Sequence, residues 1–193
     1  MTRCRAALLS TLVLLSGCAS APALRYYALG GAPPPLSGQP LATNVVLTNL
    51  TIPELVDRPQ VVLRSATNLV NVLDNQRWAE SLKTGISRVL AADLSASLGG
   101  TPVSLRSDRS ERSNDAAALL VAIDINRFDA SLTAGVDVDA GWSVRRGAGQ
   151  TPARAHVHIH ETAGGSVEEI VAAQERALAR LAAEIAATVR GRL

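Results

Sequence analysis

The sequence is poor in cysteine. Cys4 and Cys18 are the only two in 193 residues, so a disulfide-stapled scaffold is excluded. Aromatic residues make up 3% of the chain, which leaves the core to Leu, Val, Ile and Ala. A strong charge of one sign is also missing. The formal net charge is +2, and Arg3 and Arg5, at the extreme N-terminus, account for it. The remaining seventeen basic residues balance seventeen acidic ones, so bulk attraction to nucleic acid is excluded. The phosphate-binding patterns G-x-G-x-x-G and G-x-x-x-x-G-K-[ST] are absent, as is the nucleophile elbow G-x-S-x-G. The chain reads as a non-enzyme that uses no cofactor.

One apolar run stands out. Ala6 to Leu15 are ten mostly apolar residues behind Arg3 and Arg5. A bilayer-spanning helix needs about 20, so the run fits the hydrophobic region of a secretory signal instead. It leads into Leu15-Ser16-Gly17-Cys18, which resembles a bacterial lipobox. There, small residues admit the peptidase and the cysteine thiol takes a diacylglyceryl group. Residues 1–17 are therefore expected to be a lipoprotein signal peptide and Cys18 the lipidation site. With Cys18 lipidated and Cys4 removed, no disulfide can form in the mature chain, even though an exported protein could carry one.

Residues 18–43 read as the anchor, a short strand Arg25–Leu29 and a Pro/Gly-rich loop, "GGAPPPLSGQPLAT". Tyr26 and Tyr27 alternate on that strand, one inward and one outward. Residues 44–193 read as the main domain, with the Arg25–Leu29 strand part of it. β-Branched stretches predict strands at Asn44–Ile52, Gln60–Arg64, Leu69–Leu73 and Pro102–Arg106. Leu82, Ile86, Val89, Leu90 and Leu94 form one helical stripe, ended by Gly99-Gly100. The polar run Ser107–Asp115 reads as a loop.

Three strands alternate with period two: Leu119–Arg127, Gly135–Arg145 and Arg154–Glu161. Such alternation suits an antiparallel sheet covered on one face. Ser166-x-x-Glu169 is a capping box opening a long helix with Ile170, Leu178, Leu181, Ile185 and Val189 on its buried side. The expected fold is a single-domain α/β sandwich, a mostly antiparallel or mixed sheet with two long helices on one face. Trp78 and Trp142 read as core.

His156, His158 and His160 share one strand face. A hairpin turn centred on Ala148-Gly149 sets His158 opposite Asp139 and His160 opposite Asp137. Histidine and carboxylate are zinc ligands, and they also form ordinary cross-strand polar pairs on a solvated face. The second reading is preferred, because tetrahedral sites usually draw ligands from more than one element. No metal site is assigned.

Several segments in order carry a family resemblance: "LSGC", "RYYAL", "IPELVDRPQVVLR", "QRWAESL", "FDASLTAGVDVDAGWSV" and the closing Ala-rich helix. Together they resemble the ABC-type transport auxiliary lipoprotein family associated with MCE lipid transport, the family of the Pqi-system lipoprotein C. The chain departs from the family pattern at Ser81, where proline is common, and this predicts a softer helix start. The resemblance implies a periplasmic, lipid-anchored, non-enzymatic component of an MCE/ABC-type lipid transport system. It implies an MCE-domain protein and an inner-membrane permease as partners, membrane lipid through the N-terminal acyl anchor, and no nucleic acid; it leaves a homo-oligomer open. Ala19 follows the lipidated cysteine. In enteric bacteria Asp at that position retains a lipoprotein in the inner membrane, so the outer membrane is expected, on its periplasmic face. The alternative reading is an envelope-assembly or peptidoglycan-associated lipoprotein that binds a protein partner or glycan.

Overall fold

A computed structural model describes residues 23–30, 35–106, 118–146 and 151–192. The leader, Cys18, the Ser107–Asp115 run and the Ala148-Gly149 turn lie outside the described residues. The strands are β1 (Arg25–Tyr27), β2 (Val45–Thr51), β3 (Gln60–Ala66), β4 (Leu69–Trp78), β5 (Val103–Leu105), β6 (Leu119–Ser131), β7 (Gly135–Arg146) and β8 (Ala153–Glu161). Helix α1 (Leu82–Ser97) lies between β4 and β5, and α2 (Val167–Arg190) closes the chain.

The expected α/β architecture is present, divided between two sheets. A three-stranded sheet has the order β1-β4-β3 and a five-stranded sheet the order β5-β2-β6-β7-β8. β1 pairs parallel with β4, and β2 parallel with both β5 and β6. The hairpins β3–β4, β6–β7 and β7–β8 are antiparallel. Parallel neighbours need long crossovers, and α1 lies in the connection from β2 to β5 and β6. Both helices lie on one face of the large sheet: α2 over β6, β7 and β8, α1 over β2 and β5, each against the other.

One aliphatic core joins all layers. Val138, Val144, Leu178, Leu181 and Ile185 belong to it, as do Val61 and Trp78 of the small sheet. Phe128, the only phenylalanine, is buried there too. Ala173, Ala177 and Ala182 are fully buried on α2; their small side chains let the helix lie close to the sheet.

Register shifts interrupt several of the ladders. In β6 the odd residues Leu119 to Ile125 face the helices, but the register shifts between Ile125 and Arg127, and the even residues Phe128 and Ala130 then take that face. One extra residue flips the side-chain parity. The strand therefore runs past Arg127, where the alternation of the sequence stops. β4 likewise extends beyond Leu73, because Gln76, Arg77 and Trp78 pair with β1.

Ser81 is the N-cap of α1, not its first helical residue, and its hydroxyl accepts from the Thr84 amide at 3.1 Å. A serine N-cap stabilises a helix start, so the expected softening does not occur. At the other end, Gly99 has φ +68°, its amide donates to the Ala96 carbonyl, and the Gly100 amide donates to the Ser95 carbonyl at 2.9 Å. This Schellman arrangement satisfies the last free carbonyls. The capping box of α2 is complete, with Glu169 bonded back to the Ser166 amide. Gly164 leaves room for that carboxylate, since a Cβ there would run into it.

Candidate functional site

The described surface carries several groupings of polar side chains, three of which could bear on function. The first is the histidine face. β7 and β8 pair Asp137 with His160 and Asp139 with His158, the register expected from the sequence. The side chains lean diagonally. His156 Nε2 lies 2.9 Å from Asp139, while His158 Nε2 and His160 Nδ1 lie 3.3 and 3.1 Å from one oxygen of Asp137. The bond from His156 holds the Asp139 carboxyl below the usual carboxylate range. All three rings are about half exposed, on the sheet face opposite the helices. Among the described residues no group of three or more His, Cys, Asp or Glu side chains is placed to hold a metal ion.

The second grouping joins the sheets. Arg64 of β3 grips Asp129 of β6 with two bonds, Nε at 2.8 Å and Nη2 at 3.0 Å, and Arg127 Nε reaches the same carboxylate at 2.7 Å. Burial pushes the Asp129 carboxyl up, but the two guanidiniums outweigh it and hold it low. This is a structural clasp, with its charges satisfied within the fold.

The third is a cleft of about 580 Å³ where α1 meets the β2–β5 edge. Leu47 and Leu50 of β2, Leu90 of α1 and Ile123 of β6 form its floor, and Leu105 of β5 stands at its mouth. Among the described residues its cations are Lys83, Arg88 and Arg106, and no acidic residue lines it. Arg88 is held by Glu80 and the Leu29 carbonyl, each at 2.6 Å. Sequence reasoning did not find this cleft, because its walls come from four elements far apart in the chain. One signal was present: Lys83 is the only lysine among nineteen basic residues.

The tryptophans are core residues as expected. Trp78 and Trp142 are buried, and Trp142 Nε1 donates to Thr188 of α2 at 3.0 Å. Tyr26 is exposed, whereas Tyr27 is partly buried, with its hydroxyl between Gln76 and Glu168. The lipidation site Cys18 lies outside the described residues. Among the described residues no helix is long and apolar enough to cross a membrane.

The model of one family, described as the ABC-type transport auxiliary lipoprotein component, matches residues 27–186. The chain belongs to this family. A match of that extent takes in every element from the end of β1 into α2, so the family resemblance in the sequence holds along the whole fold. The family is described as an auxiliary component of transport and as a lipoprotein, that is, a membrane-anchored envelope protein. None of the curated proteins matches the chain. A protein of Xanthomonas campestris assigned to DUF330 shares the fold with a TM-score of 0.68 at 16% identity, over 86% of this chain and 98% of its own. The crystal structure of an uncharacterized protein gives 0.65 at 17%, over 86% and 99%. The architecture is thus shared with both structures at low identity.

Proposed function

We propose that this auxiliary lipoprotein is a non-enzymatic component of an MCE/ABC-type lipid transport system, held by an acylated Cys18 at the periplasmic face of the outer membrane. The observation that carries the reading is the family match from β1 into α2, standing behind a lipobox at residues 15–18. Residues 1–17 are the signal, 18–43 the anchor with the first strand and loop, and 44–193 the transport-auxiliary domain. The partners are an MCE-domain protein and an inner-membrane permease. The polar groupings agree with a role without chemistry. The histidine–aspartate face is solvated, and the Arg64–Asp129–Arg127 clasp is spent on joining the sheets.

Crosslinking in intact envelopes, followed by affinity capture, tests this. Transporter subunits should be recovered with the wild type. Cys18→Ala should lose both outer-membrane fractionation and that recovery, because several acyl chains, at about 0.8 kcal/mol per buried CH₂, supply the anchorage. An unacylated mature N-terminus, or capture of an assembly factor or glycan in place of transporter subunits, would overturn the reading.

A further inference from the structure

Three exposed leucines gather at one end of the molecule. Leu69, just after the β3–β4 turn, is 57% exposed, Leu132 in the β6–β7 turn 38%, and Leu55 in the loop from β2 to β3 36%. The three loops adjoin. Leu55 and Thr67 line one cleft of about 370 Å³, and Thr67 and Thr133 line a second of about 350 Å³. Arg64 and its partner Asp129 stand at the back of both. The two turns carry no charge: residues 66–68 read ATN and residues 131–134 read SLTA. They can enter a headgroup layer without desolvating an ion. Apolar side chains grouped on a surface mark a contact with protein or with membrane.

The tether decides between these. β1 pairs parallel with β4, Arg25 beside Gln76, so the chain before Arg25 arrives from the side on which β4 begins, the leucine end. Seven residues separate Cys18 from Arg25, and seven separate Leu69 from Gln76. At no more than about 3.6 Å per residue, Cys18 stays within about 25 Å of Arg25. The strand from Gln76 back to Leu69 is about 23 Å long at roughly 3.3 Å per residue. Cys18 can therefore reach the β3–β4 turn. It cannot reach the opposite end. Arg25 bonds Glu168 in the first turn of α2, whereas Gln39 accepts from Arg190 in the last. Those 22 residues of helix span about 33 Å at 1.5 Å per residue. Residues 19–22 read ASAP and hold no large apolar side chain that could cover the leucines.

We propose that the end formed by Leu55, Leu69 and Leu132 rests on the bilayer that holds the anchor, with the three side chains in the boundary between headgroups and acyl chains. Interfacial binding scales with the apolar area buried. Three part-exposed leucines are too few to hold a free protein on a membrane, but the anchor makes their contact intramolecular and raises their effective concentration. The domain then stands in one orientation, with the C-terminal ends of both helices turned away from the membrane and open to a partner. This rests on the acylated Cys18 of the function proposed above; the grouping of the leucines does not.

The test uses the lipidated protein in vesicles of phosphatidylethanolamine and phosphatidylglycerol. The Cys18 thiol is spent on the anchor, so Leu69→Cys, Leu132→Cys or, as control, Gln39→Cys each offers a single thiol for an environment-sensitive fluorophore. Lipids that carry a nitroxide near the top of the acyl chain should quench the fluorophore at 69 and at 132 severalfold more than at 39. Leu55→Ser with Leu132→Ser should abolish most of the quenching at 69 and leave flotation with the vesicles unchanged. A Leu69 variant that fails to accumulate is replaced by Asn68→Cys in the same turn, with the same quenching expected. Equal quenching at 39 and 69, quenching at 69 indifferent to the serine pair, or a blue shift at 69 without nitroxide quenching, as a protein partner or a second copy would give, each overturns the proposal. The mass of the mature N-terminus, flotation and envelope capture are read separately. Acylated protein that floats unquenched refutes the docking end alone. Quenching without capture of transporter subunits refutes the transport role alone. An unacylated protein refutes the anchor and the docking end with it.

Discussion

Asp93 is the residue most at odds with its surroundings. It lies on the buried face of α1 at 6% exposure. Burial, with the charge of Glu175 added, pushes its carboxyl from 3.8 up to about 6. A folded value above the unfolded one means that the folded state holds its proton longer. Stability from this group is complete below about pH 4, falls as pH rises to about 6, and stays lost above. The loss is of order 3 kcal/mol. Asp93→Asn should therefore raise the urea midpoint at pH 7 and leave it nearly unchanged at pH 4; an equal effect at both would refute the account. Trp142 is the opposite case, a residue in full agreement with its place. Its ring fills the space between β7 and α2, and Trp142→Ala should cost about 3–5 kcal/mol through the cavity left behind. The midpoint, followed by far-UV circular dichroism, should drop accordingly. A midpoint equal to wild type would make Trp142 a contact surface. That role was legible beforehand, because Trp142 shares alternation with Val138 and Val144. The Asp93 conflict was not. Periodicity puts residue 93 beside Leu90 and Leu94 but says nothing of how deeply α2 covers it.

At the scale of elements, local signals were read well where the chemistry is local. Gly99-Gly100 and Ser166-x-x-Glu169 each do in space what their spacing announces, since a cap needs only residues within one turn. Strand ends were read less well. Asp74 to Arg77 has no strand pattern of its own, and the strand is carried on to Trp78 because β1 pairs with Gln76, Arg77 and Trp78. The alternation of β6 stops at Ile125 because a bulge reverses the faces, which a periodicity count cannot separate from a strand end. The register of β7 against β8 came from the turn position alone, and that register sets the histidine face. Exposed pairs of this kind are each worth about 0–1 kcal/mol, so the His156, His158 and His160 triple alanine variant should fold, keep a midpoint near wild type and retain function. Its one defined change concerns Asp139, whose low carboxyl value adds stability above its unfolded value and loses it as pH falls through the folded one. Without His156 that benefit shrinks, and acid unfolding should begin at a slightly higher pH. Zinc bound one-to-one by the wild type and lost in the variant would contradict the reading of this face as plain cross-strand pairs.

At the scale of the whole molecule, the division into two sheets was illegible. Nothing in "RYYAL" states that it pairs with Gln76–Trp78, and nothing in "NVVLTNLTI" that it lies beside residues 119–124. The same distance in sequence hid the cleft. Where those partners lie governs the order in which structure can form. β7 and β8 meet their neighbours across short connections, but Arg25 waits for Gln76, and Val45 waits for Leu119. Closing such loops costs entropy before any contact repays it, and non-local pairing slows folding. Pulse-labelled hydrogen exchange during refolding should show the amides of β7 protected before those of β1 and β2; simultaneous protection would refute this order. For a chain that emerges from its N-terminus, β1 has no partner until Gln76 has followed, and β2 has none until Val103 and lacks its central neighbour until Leu119. The parallel pairing thus leaves the large sheet open at β2 until its centre has been made, a delay written into the topology.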